Sequence, residues 1–113
     1  MIEFGLIGYP LTHSFSKKYF TEKFLELGLS ESHLYSLFEM QNLDFFTRFV
    51  KETDNLVGIN VTIPHKVEVM QYLDEIDDAA RRIGAVNVIK VNSDKTLKGY
   101  NSDYYGFKNS VAK

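Results

Sequence analysis

A three-layer α/β/α sandwich, built on a mostly parallel mixed sheet with one C-terminal antiparallel hairpin, is the fold this sequence predicts. Three observations carry the prediction. Short apolar runs alternate with segments of helical periodicity along the chain, as strands alternating with helices do. The β-branched run from Leu56 to Ile63 suits a strand covered on both faces. Val86 to Val91 and Thr96 to Tyr100 are separated only by the polar turn Asn92 to Lys95, the spacing of a hairpin.

Each element has a local reason. Ile2 to Ile7 is an apolar run stopped by Gly8 and Pro10, which predicts a buried first strand. From Phe15 to Leu27, Phe20, Phe24 and Leu27 share one helical stripe, and Gly28 stands where a left-handed cap closes a helix. Leu34 to Met40 reads as a second strand. Asn42 then stands where it could cap a helix that buries Leu43, Phe46, Phe49 and Val50. After Pro64 the pattern predicts a helical turn, then a helix carrying Ile76, Ala79, Ala80 and Ile83. That helix has Asp77 and Asp78 early, Arg81 and Arg82 late, and Gly84 as its stop, the order the helix dipole favours. A final helix is expected from Asp103. No internal repeat, low-complexity tract or linker interrupts the pattern.

Composition narrows the function. A chain of 113 residues is one domain's worth, and 44% hydrophobic content with 14% aromatic is enough to build a core. The formal charge of -2 provides no basic footprint, so nucleic acid is disfavoured as a partner. Without cysteine there is no disulfide framework, thiolate nucleophile or thiolate metal cluster, and a metal-free cytoplasmic protein is the expectation. The apolar runs are too short to span a bilayer, so no membrane partner is expected either. The sequence leaves the oligomeric state open.

Four motifs place polar groups where an apolar run meets a loop. They are Gly8-Tyr9-Pro10-Leu11-Thr12-His13-Ser14-Phe15-Ser16, Gly58-Ile59-Asn60-Val61-Thr62-Ile63-Pro64-His65-Lys66, Gly84-Ala85-Val86-Asn87-Val88-Ile89 and Gly99-Tyr100-Asn101-Ser102-Asp103-Tyr104-Tyr105-Gly106. Ligands of open α/β sheets sit beyond strand ends, which is where these motifs are predicted. Ser14 and Ser16 cap a helix or offer hydroxyls to a carboxylate at its N-terminus. Asn60 and Thr62 deliver an amide and a hydroxyl at the end of a strand. Lys66, at the start of a helical turn, is poorly placed as a stabilising surface charge but well placed to exchange a proton. A solvated surface lysine is the plainer alternative. Asn87 satisfies either a neighbouring loop or a bound polyol. Asn101 and Asp103 read as Asx residues that turn the chain and cap the last helix. His65, despite its titration range, reads as wall or surface.

Together and in this order, the four motifs resemble the substrate-binding half of shikimate dehydrogenase over nearly the whole chain. That resemblance implies a substrate-binding domain over 1–113 that works with NADP to interconvert 3-dehydroshikimate and shikimate in aromatic amino-acid biosynthesis. It implies that Ser14 and Ser16 hold the substrate's carboxylate and ring hydroxyls. It further implies that Asn60, Thr62 and Asn87 bind the substrate, and that Lys66 and Asp103 form the acid/base pair across the reacting hydroxyl. Asp78 matches a position sometimes linked to the cofactor, though it also reads as a helix N-terminal acid. The chain departs from the family pattern at Lys17, Phe20 and Thr21, at Val88, which loses a hydroxyl, and at Ser102, which keeps one. There is no G-x-G-x-x-G or G-x-x-x-x-G-K-[ST] fingerprint. The family's NADP-binding half would follow Lys113, so the expectation is half an enzyme, able to bind but not to turn over. A dehydrogenase preferring quinate or an amino-substituted analogue, and a non-catalytic sensor of a cyclic acid, remain alternatives.

Overall fold

The computed structural model describes residues 1–11 and 15–102, with the side chains of Phe15 and Ser16 outside the description. Six strands form one sheet: β1 (Ile2–Gly8), β2 (His33–Glu39), β3 (Leu56–Val61), β4 (Glu75–Ile76), β5 (Val88–Val91) and β6 (Leu97–Tyr100). Three helices, α1 (Phe15–Glu26), α2 (Phe46–Glu52) and α3 (Asp78–Ile83), and a 3-10 turn at Glu68–Tyr72 complete the described elements. The strand order is β2-β1-β3-β5-β6-β4. β1 runs parallel to both β2 and β3, and β4 runs parallel to β6. β5 is antiparallel to β6, the predicted hairpin, and also to β3 on its other side.

Alternation along the strands builds two cores. On β1, Ile7 faces a cluster that takes in Phe46 and Val50 of α2, Val69, Ala80 of α3, and Ile59, Val86 and Ile89. Leu6 faces the opposite way, toward Leu11, Tyr35, Phe4, Phe20 and Phe24. Helices therefore lie on both faces, as predicted. Phe46 is fully buried, and burial of such a side chain contributes about 1.5–3 kcal/mol. On the α1 side, the Phe20 ring stacks on Tyr35 with centroids 4.9 Å apart.

The helix stops are those the sequence predicts. Leu29 N–H reaches Phe24 O and Gly28 N–H reaches Leu25 O, the paired bonds of a Schellman cap with Gly28 at φ 71°. Gly84 ends α3 at φ 80°, and at the other end the Asp77 carboxylate accepts from Ala79 N–H.

Several local expectations are corrected. Leu27 is not on the buried stripe of α1; it is exposed, because the Schellman turn carries it away from the sheet. Asn42 does not cap α2. Its Oδ1 accepts from Asp44 N–H in an Asx turn, and α2 begins later, at Phe46, without a side-chain cap. Ile76 belongs to β4, not to a helix. This two-residue strand is too short to show a period, and Lys98 Nζ lies 3.4 Å from Glu75 Oε1 beside it. The run ending at Ile63 is covered less completely than a doubly buried strand. β3 stops at Val61, and Val57 and Ile63 are exposed. The helix expected from Asp103 lies outside the described residues.

Candidate functional site at one edge of the sheet

Strand direction brings the described parts of the four motifs together. β1 and β3 are parallel, so Gly8 and Thr62, at or just after their carboxyl ends, share one edge. β5 runs the opposite way, so its amino end, with Asn87 just before it, points to that same edge. β6 reverses again and delivers Asn101 there. The second of two antiparallel reversals restores the first direction, which is why a strand start and three strand ends meet.

Backbone hydrogen bonds join the motifs in series. Thr62 N–H donates to Ile7 O at 2.9 Å and Tyr9 N–H to Ile63 O at 3.0 Å, which fastens the first loop to the second. Val61 N–H donates to Asn87 O at 2.9 Å, and Val86 N–H donates to Lys66 O at 2.8 Å, tying the second motif to the third. Asn87 N–H donates to Tyr100 O at 3.0 Å, and Asn101 Nδ2 donates to Ala85 O at 3.1 Å, tying the third to the fourth. Gly8 is required for this closeness: a Cβ there would fall 2.3 Å from Thr62 Cγ2 and 3.0 Å from Ile63 O.

The side chains divide in their roles. Lys66 is half-buried in the loop between β3 and the 3-10 turn, and it forms no ion pair among the described residues. Thr62 is half-buried beside Gly8. Asn87 directs its Oδ1 to Ser102, accepting from the backbone N–H at 2.9 Å and from the hydroxyl at 3.3 Å. A ligand can therefore meet Asn87 only through its Nδ2 donors once Oδ1 is engaged. Asn60 turns toward α1, where its Nδ2 donates to Tyr35 Oη at 2.9 Å. There it lines a cavity of about 330 Å³ with Phe4, Phe20, Phe24, Val88 and Lys90. Asn101 is buried and holds the fourth loop against the third. Asp78 is exposed in the first turn of α3. Ser14, Asp103 and the Ser16 side chain lie outside the described residues.

Two further residues shape the site, of which Glu39 was missed from sequence. His65, read as wall or surface, is wall: it is 1% exposed, and its Nε2 bonds to Met40 O. Glu39, at the end of β2, accepts from Leu11 N–H at 3.1 Å and so steadies the loop that leads to the serines. Both depend on where β2 ends relative to the loops, a long-range relation with no local signal. Among the described residues no group of three or more His, Cys, Asp or Glu could hold a metal ion.

Comparison with known proteins agrees with this arrangement. Residues 6–89 match the family model described as the shikimate dehydrogenase substrate binding domain. A relative named shikimate dehydrogenase (NADP(+)) from Methanococcus maripaludis is 42% identical over 107 residues, covering 95% of this chain and 38% of the relative. Another of that name, from Methanocaldococcus jannaschii, is 46% identical over 104 residues, covering 90% of this chain and 36% of its own length. Among solved structures, a shikimate dehydrogenase in complex with NADP+ superimposes with a TM-score of 0.83 at 40% identity, covering 98% of this chain and 38% of that one. The enzyme from Thermus thermophilus in complex with shikimate gives 0.83 at 30% identity, covering 99% of this chain and 42% of that one. The chain thus spans well under half the length of the relatives it matches. With the described parts of its four motifs gathered at one sheet edge and its residues 6–89 matched, the chain belongs to the shikimate dehydrogenase substrate-binding domain family.

Proposed function

We propose that this chain is the substrate-binding and proton-transferring part of an NADP-dependent shikimate dehydrogenase that interconverts 3-dehydroshikimate and shikimate. The observation that carries the reading is the hydrogen-bonded series of motif loops at one sheet edge, with Lys66 inside it. In this reading the domain occupies 1–113. Ser14 and Ser16 take the carboxylate, Thr62, Asn87 through its Nδ2, and Asn60 meet the ring hydroxyls, and Asp103 stands across from Lys66.

Oxidising a secondary alcohol removes a hydride from carbon and a proton from oxygen, and these residues account for the proton. Lys66 and Asp103 take it from the hydroxyl as a coupled pair, with Lys66 as its carrier. The described residues do not fit a dinucleotide. Gly5 and Gly8 lie within β1, packed against Phe38 and Thr62, and do not form a turn that opens into a helix. In this reading NADP is bound mainly by protein beyond this chain, with Asp78 at most a neighbour.

The test joins this chain to the remainder of the Methanocaldococcus jannaschii relative beyond the matched region. Shikimate-dependent reduction of NADP by the joined protein supports the proposal. A folded joined protein that oxidises quinate in preference to shikimate, or neither, refutes it.

A further inference from the structure

The loop that carries Lys66 sends one side chain deep into the fold. Ile63 is 70% exposed and Val67 66% exposed, and Pro64 is exposed as well, whereas His65 between them is 1% exposed. The imidazole ties this loop to the end of β2. Its Nε2 bonds to the carbonyl of Met40, and a carbonyl only accepts, so Nε2 carries the proton. Nδ1 is buried with no hydrogen-bond partner, so the bond to Met40 is the ring's polar tie to the fold.

Met40 reaches the other loop too. Its N–H donates to Gly8 O at 3.0 Å, and the adjacent Glu39 carboxylate accepts from Leu11 N–H. The end of β2 therefore grips the loop after β1 by Gly8 and Leu11, and the loop after β3 by His65. Downstream, the lysine's own carbonyl accepts from Val86 N–H. Resting on the function proposed above, we infer that His65 is a positioning residue: acting through Met40, it fixes Lys66 relative to the loop that leads to the serines. Without the ring's donor, Met40 O would be left unsatisfied and the lysine loop would lose its side-chain tie to the end of β2, keeping only its backbone bonds.

The test uses the 113-residue chain, with variants chosen for geometry. His65→Phe keeps a buried aromatic ring but removes the donor. His65→Gln can place an amide N–H at the reach of the imidazole Nε2, so it restores the bond without an aromatic ring. Ring nitrogen spectra of the wild type should show Nε2 protonated and hydrogen-bonded. In His65→Phe, hydrogen exchange at the Val86 amide, which reports on Lys66 O, should quicken about tenfold, as expected for losing one buried hydrogen bond. The core amide of Ile89 should change far less, and His65→Gln should return Val86 close to the wild-type rate. Shikimate binding should weaken in His65→Phe and recover in His65→Gln.

Equal acceleration at Val86 and Ile89 would overturn the inference, since the ring would then support the whole fold and not the lysine loop. An unaltered Val86 rate in His65→Phe would overturn it as well. If His65→Phe does not fold, His65→Gln decides: wild-type exchange at Val86 supports the inference, and fast exchange or failure to fold contradicts it. Failure of the wild type to bind shikimate would sink the functional proposal alone, because the exchange rates still report on the clamp.

Discussion

At the scale of single residues, the account depends on which polar groups hold the loops and which are left for a ligand. Asn87 illustrates why sequence alone could not divide them: an asparagine before a strand is equally suited to a neighbouring loop or a bound polyol. The fold resolves half of that choice by giving its Oδ1 to Ser102. His65 was ambiguous for a related reason, because its burial depends on where β2 ends, a long-range relation that local pattern does not carry. Lys66 was legible from its place after a strand-stopping proline, and it does sit in the loop between two elements. Replacing it with alanine in a shikimate-oxidising protein that contains this chain should lower kcat by about 10²–10⁴, with a smaller change in KM. Asp103→Asn should lower kcat too, and the double variant should be little worse than the worse single one. Losses that multiply would show in steady-state kinetics that the two do not act as a unit. Ser14→Ala and Ser16→Ala should instead raise KM, each by the loss of about 1.5–3 kcal/mol of charged hydrogen bonding. Simple helix capping predicts otherwise: about 1 kcal/mol less stability with ligand contacts intact. Thermal melts with and without shikimate separate the two outcomes.

At the scale of elements, periodicity and caps were the readable features, and short or long-range ones were not. Gly28 and Gly84 marked true helix ends because positive φ is a local demand. The polar turn Asn92 to Lys95 correctly joined β5 to β6, since turn chemistry is also local. β4 escaped notice because two residues have no period, and Asn42 misled because an Asx turn and a helix cap use the same side chain. The hairpin turn permits a pH test. The Asp94 carboxyl is held below its ordinary range by hydrogen bonds from the Thr96 hydroxyl and then from its backbone N–H. A carboxyl with a lowered folded value adds stability that is fully present above its unfolded value and is lost as pH falls through the folded one. Wild type should therefore melt slightly above Asp94→Asn at neutral pH, with the gap closing in acid. A gap that persists undiminished in acid would mean that the Asp94 charge is not what steadies the turn.

At the scale of the whole molecule, direction matters more than any single motif. The motifs read as three strand ends and one strand start, and only the two antiparallel pairings, β3 with β5 and β5 with β6, bring that start to the same edge as the ends. Sequence predicted the second pairing from the hairpin turn, but nothing local announced the first. The three-layer arrangement was legible because each face of β1 carries its own apolar set, Leu6 toward α1 and Ile7 toward α2 and α3. If the shared edge binds the cyclic acid, a titration of the isotopically labelled chain with shikimate will show it. The amides of Gly8, Thr62, Lys66, Asn87 and Asn101 should shift together and saturate together, while the outer turn at Asn92 to Lys95 stays still. Saturable shifts confined to residues away from this edge, or no shifts at the edge at all, would contradict the account.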